Sequence, residues 1–212
     1  MPTSPIRTPL RGLYLILDQS LSSTRLLADV LKQAGEAGVQ LIQYRDKHGS
    51  LNEMYQQAMV LRDLAGKMGM TFIVNDRCDL AKSVEADGVH LGQSDLPLDA
   101  ARELMGSDCL IGISTHQEEE VKIAIEGGAD YLGFGPIYGT TTKKDHEPLV
   151  GLEGLQRVRS FTTLPIFAIG GITSQVVPDL IASGADGVAV ASAIVKATDV
   201  ESAVQSFIAA FE

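Results

Sequence analysis

The chain has 212 residues, 45% of them hydrophobic, enough for one large domain or two small ones with a sizeable core and no need of covalent staples. Its 17 basic and 27 acidic side chains leave a formal charge of −10, with a pI near 4.8, which excludes wrapping a nucleic-acid backbone or lying on an anionic membrane. Any anionic ligand must therefore be gripped by a local basic cluster.

Met1 to Leu10 contains three prolines and no long apolar run, so residues 1–10 are expected to form a flexible tail rather than a signal peptide. No stretch approaches the ~18 apolar residues that a membrane helix needs. Cys78 and Cys109 have no metal-ligand spacing and read as free thiols in a reducing compartment. A cytoplasmic protein is the expectation.

From Gly12 onward one pattern repeats. The apolar run Gly12 to Leu17 is followed by Ser22-Ser23-Thr24 as a cap and an amphipathic segment to Glu36. Val39 to Gln43 leads to a helix over Ser50–Met68, and Thr71 to Val74 leads to one over Arg77–Val84. Gly88 to Leu91 precedes Leu98–Met105, and Leu110 to Ile113 precedes Gln117–Glu126. Tyr131 to Phe134 leads through a longer loop to Leu152–Ser160. Pro165 to Ile169 precedes Ser174–Ala182, and Gly187 to Val190 precedes Val200–Phe211. Continuous apolar strands are buried on both faces, as in an all-parallel sheet. Eight such units without a break predict a closed (β/α)8 barrel of the TIM type over residues 11–212, in one domain.

Three echoes support the count. Ala86-Asp87-Gly88, Ala129-Asp130-Tyr131 and Ala185-Asp186-Gly187 each stand between a helix and the next strand. Recurrence at one structural position assigns them to the stability face of the barrel and not to chemistry.

The unusual side chains follow the strands, at the other rim. Strand three ends in Asn75-Asp76 and strand four in Gly92-Gln93-Ser94-Asp95; acids at the ends of neighbouring strands can share a hard cation, although each alone also reads as a helix cap. Strand two ends in Gln43-Tyr44-Arg45-Asp46-Lys47, where Arg45 and Lys47 share strand parity and sit beside the strand carrying Asp76. An acid pair for magnesium with a basic pair for phosphate oxygens describes a diphosphate site. Asn75 and Ser114 are either donors to the same ligand or loop caps. The sixth loop, Gly135 to Lys144, carries Thr140-Thr141-Thr142-Lys143, a set of hydroxyls, backbone amides and a point charge suited to an anion. Gly170-Gly171 after strand seven and Ala191-Ser192 after strand eight leave room for a phosphate to approach backbone N–H groups. Two anion sites in one mouth suggest the joining of two phosphorylated molecules, with diphosphate as the leaving group.

Taken together, Gln43-Tyr44-Arg45-Asp46-Lys47, Val74-Asn75-Asp76, Gly92-Gln93-Ser94-Asp95, Gly112-Ile113-Ser114-Thr115-His116, Thr140-Thr141-Thr142-Lys143 and Ala168-Ile169-Gly170-Gly171-Ile172 closely resemble the thiamine-phosphate synthase family. The likeness runs in order along nearly the whole chain beyond Leu10. It implies a transferase that condenses 4-amino-2-methyl-5-hydroxymethylpyrimidine diphosphate with a thiazole phosphate, carboxylated or not, releasing diphosphate. It further implies Mg2+ as cofactor on Asp76 and Asp95. Gln43, Arg45, Lys47, Asn75, Ser114 and Lys143 would hold the pyrimidine diphosphate, and Thr140, Thr142, Gly171, Ala191 and Ser192 the thiazole phosphate. Tyr44, Asp46 and Thr141 lie inside the same motifs and are grouped with the substrate-binding residues. Arg45, Lys47, Lys143 and Ser114 are the implied catalytic set, in a dissociative substitution without a protein nucleophile. His116 reads as a base or as a structural cap. The partners expected are the two small molecules, neither nucleic acid nor membrane, and a homo-oligomer is left open. Gly139, Ala191 and Tyr44 depart from the residues the family most often carries.

Overall fold

A computed structural model describes residues 10–22, 25–139 and 148–212. Eight parallel strands close into a barrel in strict chain order: β1 Gly12–Asp18, β2 Leu41–Arg45, β3 Thr71–Asn75, β4 Gly88–Leu91, β5 Leu110–Thr115, β6 Tyr131–Phe134, β7 Ile166–Ile169 and β8 Gly187–Val190. The helices around it are α1 Leu27–Glu36, α2 Leu51–Lys67, α3 Cys78–Ser83, α4 Leu98–Met105, α5 Glu118–Glu126, α6 Gly151–Arg159, α7 Val177–Ala182, α8 Ser192–Val195 and α9 Val200–Ala209. No helix among the described residues is long and apolar enough to cross a membrane. The expected tail lies, apart from Leu10, outside the described residues, as do Ser23 and Thr24 of the expected first cap.

Local chemistry explains several element boundaries. Ser50 and Glu53 form a capping box that starts α2: the Glu53 amide donates to Ser50 Oγ at 3.3 Å, and the Ser50 amide donates back to Glu53 Oε2 at 2.8 Å. Strand β2 begins two residues later than the apolar run suggests, because the Val39 amide is used to close α1 by donating to the Ala34 carbonyl at 3.0 Å. The short helix α8 is absent from the periodicity; with only four residues it has no repeat for a hydrophobic pattern to show. Both cysteines are free, Cys78 buried and Cys109 half-buried.

The Ala-Asp echoes stitch the lower rim. Asp87, Asp130 and Asp186 each accept a hydrogen bond at 2.8 Å from an amide at the start of the preceding strand, those of Phe72, Ile111 and Ile166 respectively. Each also donates its own amide to the carbonyl of that same residue. Arg102 binds Asp130 at 2.6 Å and Arg159 binds Asp186 at 2.8 Å, so these two carboxylates are charge-neutralised as well as hydrogen-bonded. These clasps fix the strand register at the end of the barrel remote from the polar mouth.

Strand alternation then separates two cores. Leu13, Leu15, Leu17, Ile42, Tyr44, Phe72, Val74 and Val89 face outward and pack against the helices. Tyr14, Leu41, Ile73, Leu110, Tyr131 and Phe167 face inward and plug the barrel. We predict that Asp186→Ala, which strands the Ile166 amide and removes the counter-charge of Arg159, lowers unfolding free energy by about 2 kcal/mol in urea titration while leaving turnover unchanged; a comparable loss of turnover would show that the lower rim reaches the mouth.

Candidate active site

The carboxyl ends of the strands surround a cavity of about 680 Å³. Of the residues singled out from sequence, Gln43, Arg45, Lys47, Asn75, Asp76, Asp95, Ser114, Gly171, Ala191 and Ser192 all line it. Thr140, Thr141, Thr142 and Lys143 lie outside the described residues. Two expectations are corrected. Tyr44 alternates with Gln43 and Arg45 and so turns outward into the helix-facing core. Asp46 folds onto its own loop, accepting from the amides of His48 at 2.9 Å and Gly49 at 3.0 Å, and does not line the cavity.

The two cations at and just past the end of β2 are each held by an acid. Arg45 donates from Nη1 to Asp18 Oδ2, across the gap to the end of β1, where Asp18 also accepts from the Ser20 amide at 2.9 Å and the Ser20 hydroxyl at 2.6 Å. The register sets Asp18 directly opposite Arg45. Asp18 is almost wholly buried, so it is a fixed counter-charge that orients the guanidinium. Sequence reading missed it, because an acid at the end of a first strand has no motif around it. Lys47 Nζ contacts Asp76 Oδ2, one of the two oxygens a cation would take.

Asp76 is held in an unusual backbone. Its φ is +61°, in the left-handed region that a side chain seldom adopts. The turn is fixed on both sides: the Asp76 amide donates to the His90 carbonyl at 2.8 Å, and the Arg77 amide donates to the Asn75 carbonyl at 2.7 Å. Strain of this kind, worth about 1–3 kcal/mol, persists where the surroundings over-determine it. Here it sets the Asp76 carboxylate beside that of Asp95. Asp95 is itself tied down by the Gly92 amide at 2.7 Å. Burial, with the Asp76 carboxylate beside it, pushes the Asp95 carboxyl above the ordinary carboxylate range, against the pull of the Gly92 amide and Lys47. Among the described residues no group of three or more His, Cys, Asp or Glu gathers as a complete metal cage.

The opposite wall is backbone. Gly170 and Gly171 have φ of +93° and +63°, and a Cβ on Gly171 would come within 2.5 Å of the Gly139 carbonyl oxygen. The glycine pair thus lets the start of the sixth loop lie against β7, where the Ile137 amide donates to the Ile169 carbonyl at 2.8 Å and the Tyr138 amide to the Gly170 carbonyl at 3.1 Å. His116 is bound into the same corner: its amide donates to Glu120 at 2.7 Å and its Nδ1 donates to the Gly135 carbonyl at 2.5 Å. That arrangement is structural support, with the imidazole lining the cavity. The floor is formed by Tyr14, His90 and Phe167, which sequence reading left unassigned within apolar strands.

A closed parallel barrel with its charged constellation gathered at the carboxyl ends of the strands defines a (β/α)8-barrel enzyme. The family described as thiamine monophosphate synthase matches residues 13–194. A thiamine-phosphate synthase of Chloroflexus aurantiacus is 47% identical over 191 residues, covering 90% of this chain and 88% of the relative. One from Methanospirillum hungatei is 44% identical, covering 92% and 95%. The solved structure of thiamine phosphate pyrophosphorylase from Pyrococcus furiosus superposes with a TM-score of 0.86 at 34% identity, covering 95% of each chain. The chain belongs to the thiamine monophosphate synthase family.

The raised carboxyl of Asp95 yields a signed expectation. A group whose pKa rises on folding contributes stability below its unfolded value, about 3.9, and that contribution is lost as pH rises through the folded value. Above that folded value the ionised Asp95 therefore burdens the folded protein. Asp95→Asn is expected to melt at or above the parent temperature without magnesium and, if the acid pair takes the ion, to lose the rise in melting temperature that magnesium would then give the parent. Calorimetric melts with and without the ion measure this, and an unchanged magnesium response in the variant would remove Asp95 from the metal site.

Proposed function

We propose that this mouth joins 4-amino-2-methyl-5-hydroxymethylpyrimidine diphosphate to a thiazole phosphate, forming thiamine phosphate and releasing diphosphate. Family membership supports the reaction class. The single observation that carries the residue roles is the gathering of Arg45, Lys47, Asp76 and Asp95 on one wall of the cavity, across from Gly171, Ala191 and Ser192.

Asp76 and Asp95 offer the hard oxygens that magnesium prefers, in the two-carboxylate form usual when substrate phosphates complete the shell. Bound there, the ion supplies positive charge to the departing diphosphate. Arg45, preset by Asp18, and Lys47 donate to diphosphate oxygens, with Asn75, Gln43 and Ser114 completing the hold on that substrate. Lys143 belongs to the same set, and Thr140, Thr141 and Thr142 to the thiazole phosphate with the Gly171, Ala191 and Ser192 amides. As the carbon–oxygen bond to diphosphate breaks, negative charge grows on the leaving group. Arg45 and Lys47 are worth most at that moment, which lowers the barrier rather than only tightening the ground state. The electron-rich aminopyrimidine carries the positive charge left behind, and the thiazole nitrogen, aimed by its anchored phosphate, captures it. The chain supplies no nucleophile. The catalytic domain spans residues 11–212, and two small water-soluble phosphates as substrates suit the cytoplasm.

Incubation with both substrates and magnesium should give thiamine phosphate and diphosphate in equal amounts. Asp76→Ala should cut kcat about a hundredfold or more while shifting the melting temperature by only a few degrees. Absence of thiamine phosphate from the parent reaction overturns the reading, and isomerisation of the thiazole alone would replace it with an isomerase.

A further inference from the structure

Beneath the mouth a buried chain of hydrogen bonds crosses the barrel. Gln43 Nε2 lies 2.8 Å from Tyr14 Oη, Tyr14 Oη 2.9 Å from Tyr131 Oη, Tyr131 Oη 3.2 Å from His90 Nδ1, and His90 Nε2 2.9 Å from Ser114 Oγ. The chain enters at β2, passes through β1, β6 and β4, and leaves at β5. All five side chains are buried. Its two ends, Gln43 and Ser114, are residues assigned to the pyrimidine diphosphate, while Tyr131 does not line the cavity at all.

The Gln43 amide, together with the need of each buried hydroxyl to place its hydrogen, favours one direction for the chain. An amide nitrogen can only donate, so Tyr14 Oη accepts from Gln43 and has one hydrogen of its own to give. Given to Tyr131, that hydrogen makes Tyr131 the donor to His90 Nδ1. A neutral imidazole that accepts at Nδ1 carries its hydrogen on Nε2, and so donates to Ser114 Oγ. Ser114, having accepted, directs its own hydrogen elsewhere, and the side chain lines the mouth. Burial raises both phenols well above their ordinary range, so each keeps the one hydrogen this order requires.

The surrounding sequence makes room for this chain. A Cβ at Gly112 would run into the Tyr131 ring and come within 2.6 Å of His90 Nδ1, and one at Gly133 would meet His90 Cε1 at 3.2 Å. Phe167 wedges the two phenols edge-on, its ring centre 5.2 Å from that of Tyr14 and 5.7 Å from that of Tyr131. A core with only packing to satisfy would fill these positions with aliphatic side chains, since buried polar atoms cost stability unless each is paired.

We propose that Tyr14, Tyr131 and His90 are positioning residues: a one-way hydrogen-bond relay that fixes His90 as the Nε2–H tautomer and thereby sets Ser114 as a hydrogen-bond donor toward substrate. The inference deepens the proposed function and rests on its assignment of Ser114 to the diphosphate substrate.

Long-range proton–nitrogen NMR on the full-length, histidine-labelled protein reads the relay directly. The chain has four histidines, and loss of one signal set in His90→Gln identifies this one. The ligand-free parent should show a bare Nδ1 and a protonated Nε2 at His90, and Tyr131→Phe should show both tautomers. A protonated Nδ1 in the parent overturns the relay, and that measurement stands even if the variant folds poorly. Kinetics test its purpose: Tyr131→Phe should lower kcat/KM about tenfold, the scale of one hydrogen bond, and adding it to Ser114→Ala should cost nothing further. Losses that multiply overturn the proposal. A fully active Ser114→Ala enzyme instead overturns the substrate assignment of Ser114, while the ring-nitrogen spectrum still decides the relay itself.

Discussion

Alternation of side chains along closed parallel strands is the constraint on which everything at this mouth depends. With eight strands in register, inward positions converge on one axis and outward positions meet the helices. Gln43 and Arg45 reach the cavity because they share a parity, and Tyr44 between them cannot. The Asp87, Asp130 and Asp186 clasps at the far rim hold that register, so features remote from the chemistry decide which side chains take part in it. A slip of one residue in any strand would exchange its two faces.

Within that frame the mouth is organised by charges that are incompletely satisfied. Asp76 and Asp95 are brought into contact through a left-handed backbone at Asp76, and burial leaves Asp95 reluctant to ionise. Lys47 covers part of this acid pair, and Arg45 is held by the buried Asp18. Acids and cations thus stand side by side on this wall of the cavity. The uncharged opposite wall, of glycine and short side chains, suits a phosphate held by backbone amides.

Much of this arrangement was legible in the chain, for definite reasons. The eight strand-helix units declare themselves because each strand is mainly apolar, and the residues at and just past the strand ends stand out because they are not. The lower-rim aspartates declare themselves by recurring at one position. Asp46 groups with the binding residues in sequence because it lies inside their motif, between Arg45 and Lys47, and two loop amides satisfy it instead. Asp18 and the relay from Gln43 to Ser114 are invisible for another reason. Their contacts join residues 27 and 117 positions apart, made only when the barrel closes, and periodicity within a segment contains no record of them. A tyrosine in an apolar strand reads as core. Tyr14 and Tyr131 are core, and they are also the interior of a polar path.

The central claim is that Asp76 and Asp95 recruit magnesium together with the diphosphate that leaves. Titration calorimetry of inorganic diphosphate into the protein, with and without magnesium, measures this with no chemistry in the way. The account predicts that magnesium tightens diphosphate binding at least about tenfold in the parent, and that the Asp76→Ala, Asp95→Ala double variant loses that gain. Equal diphosphate affinity in the parent with and without the ion would contradict it.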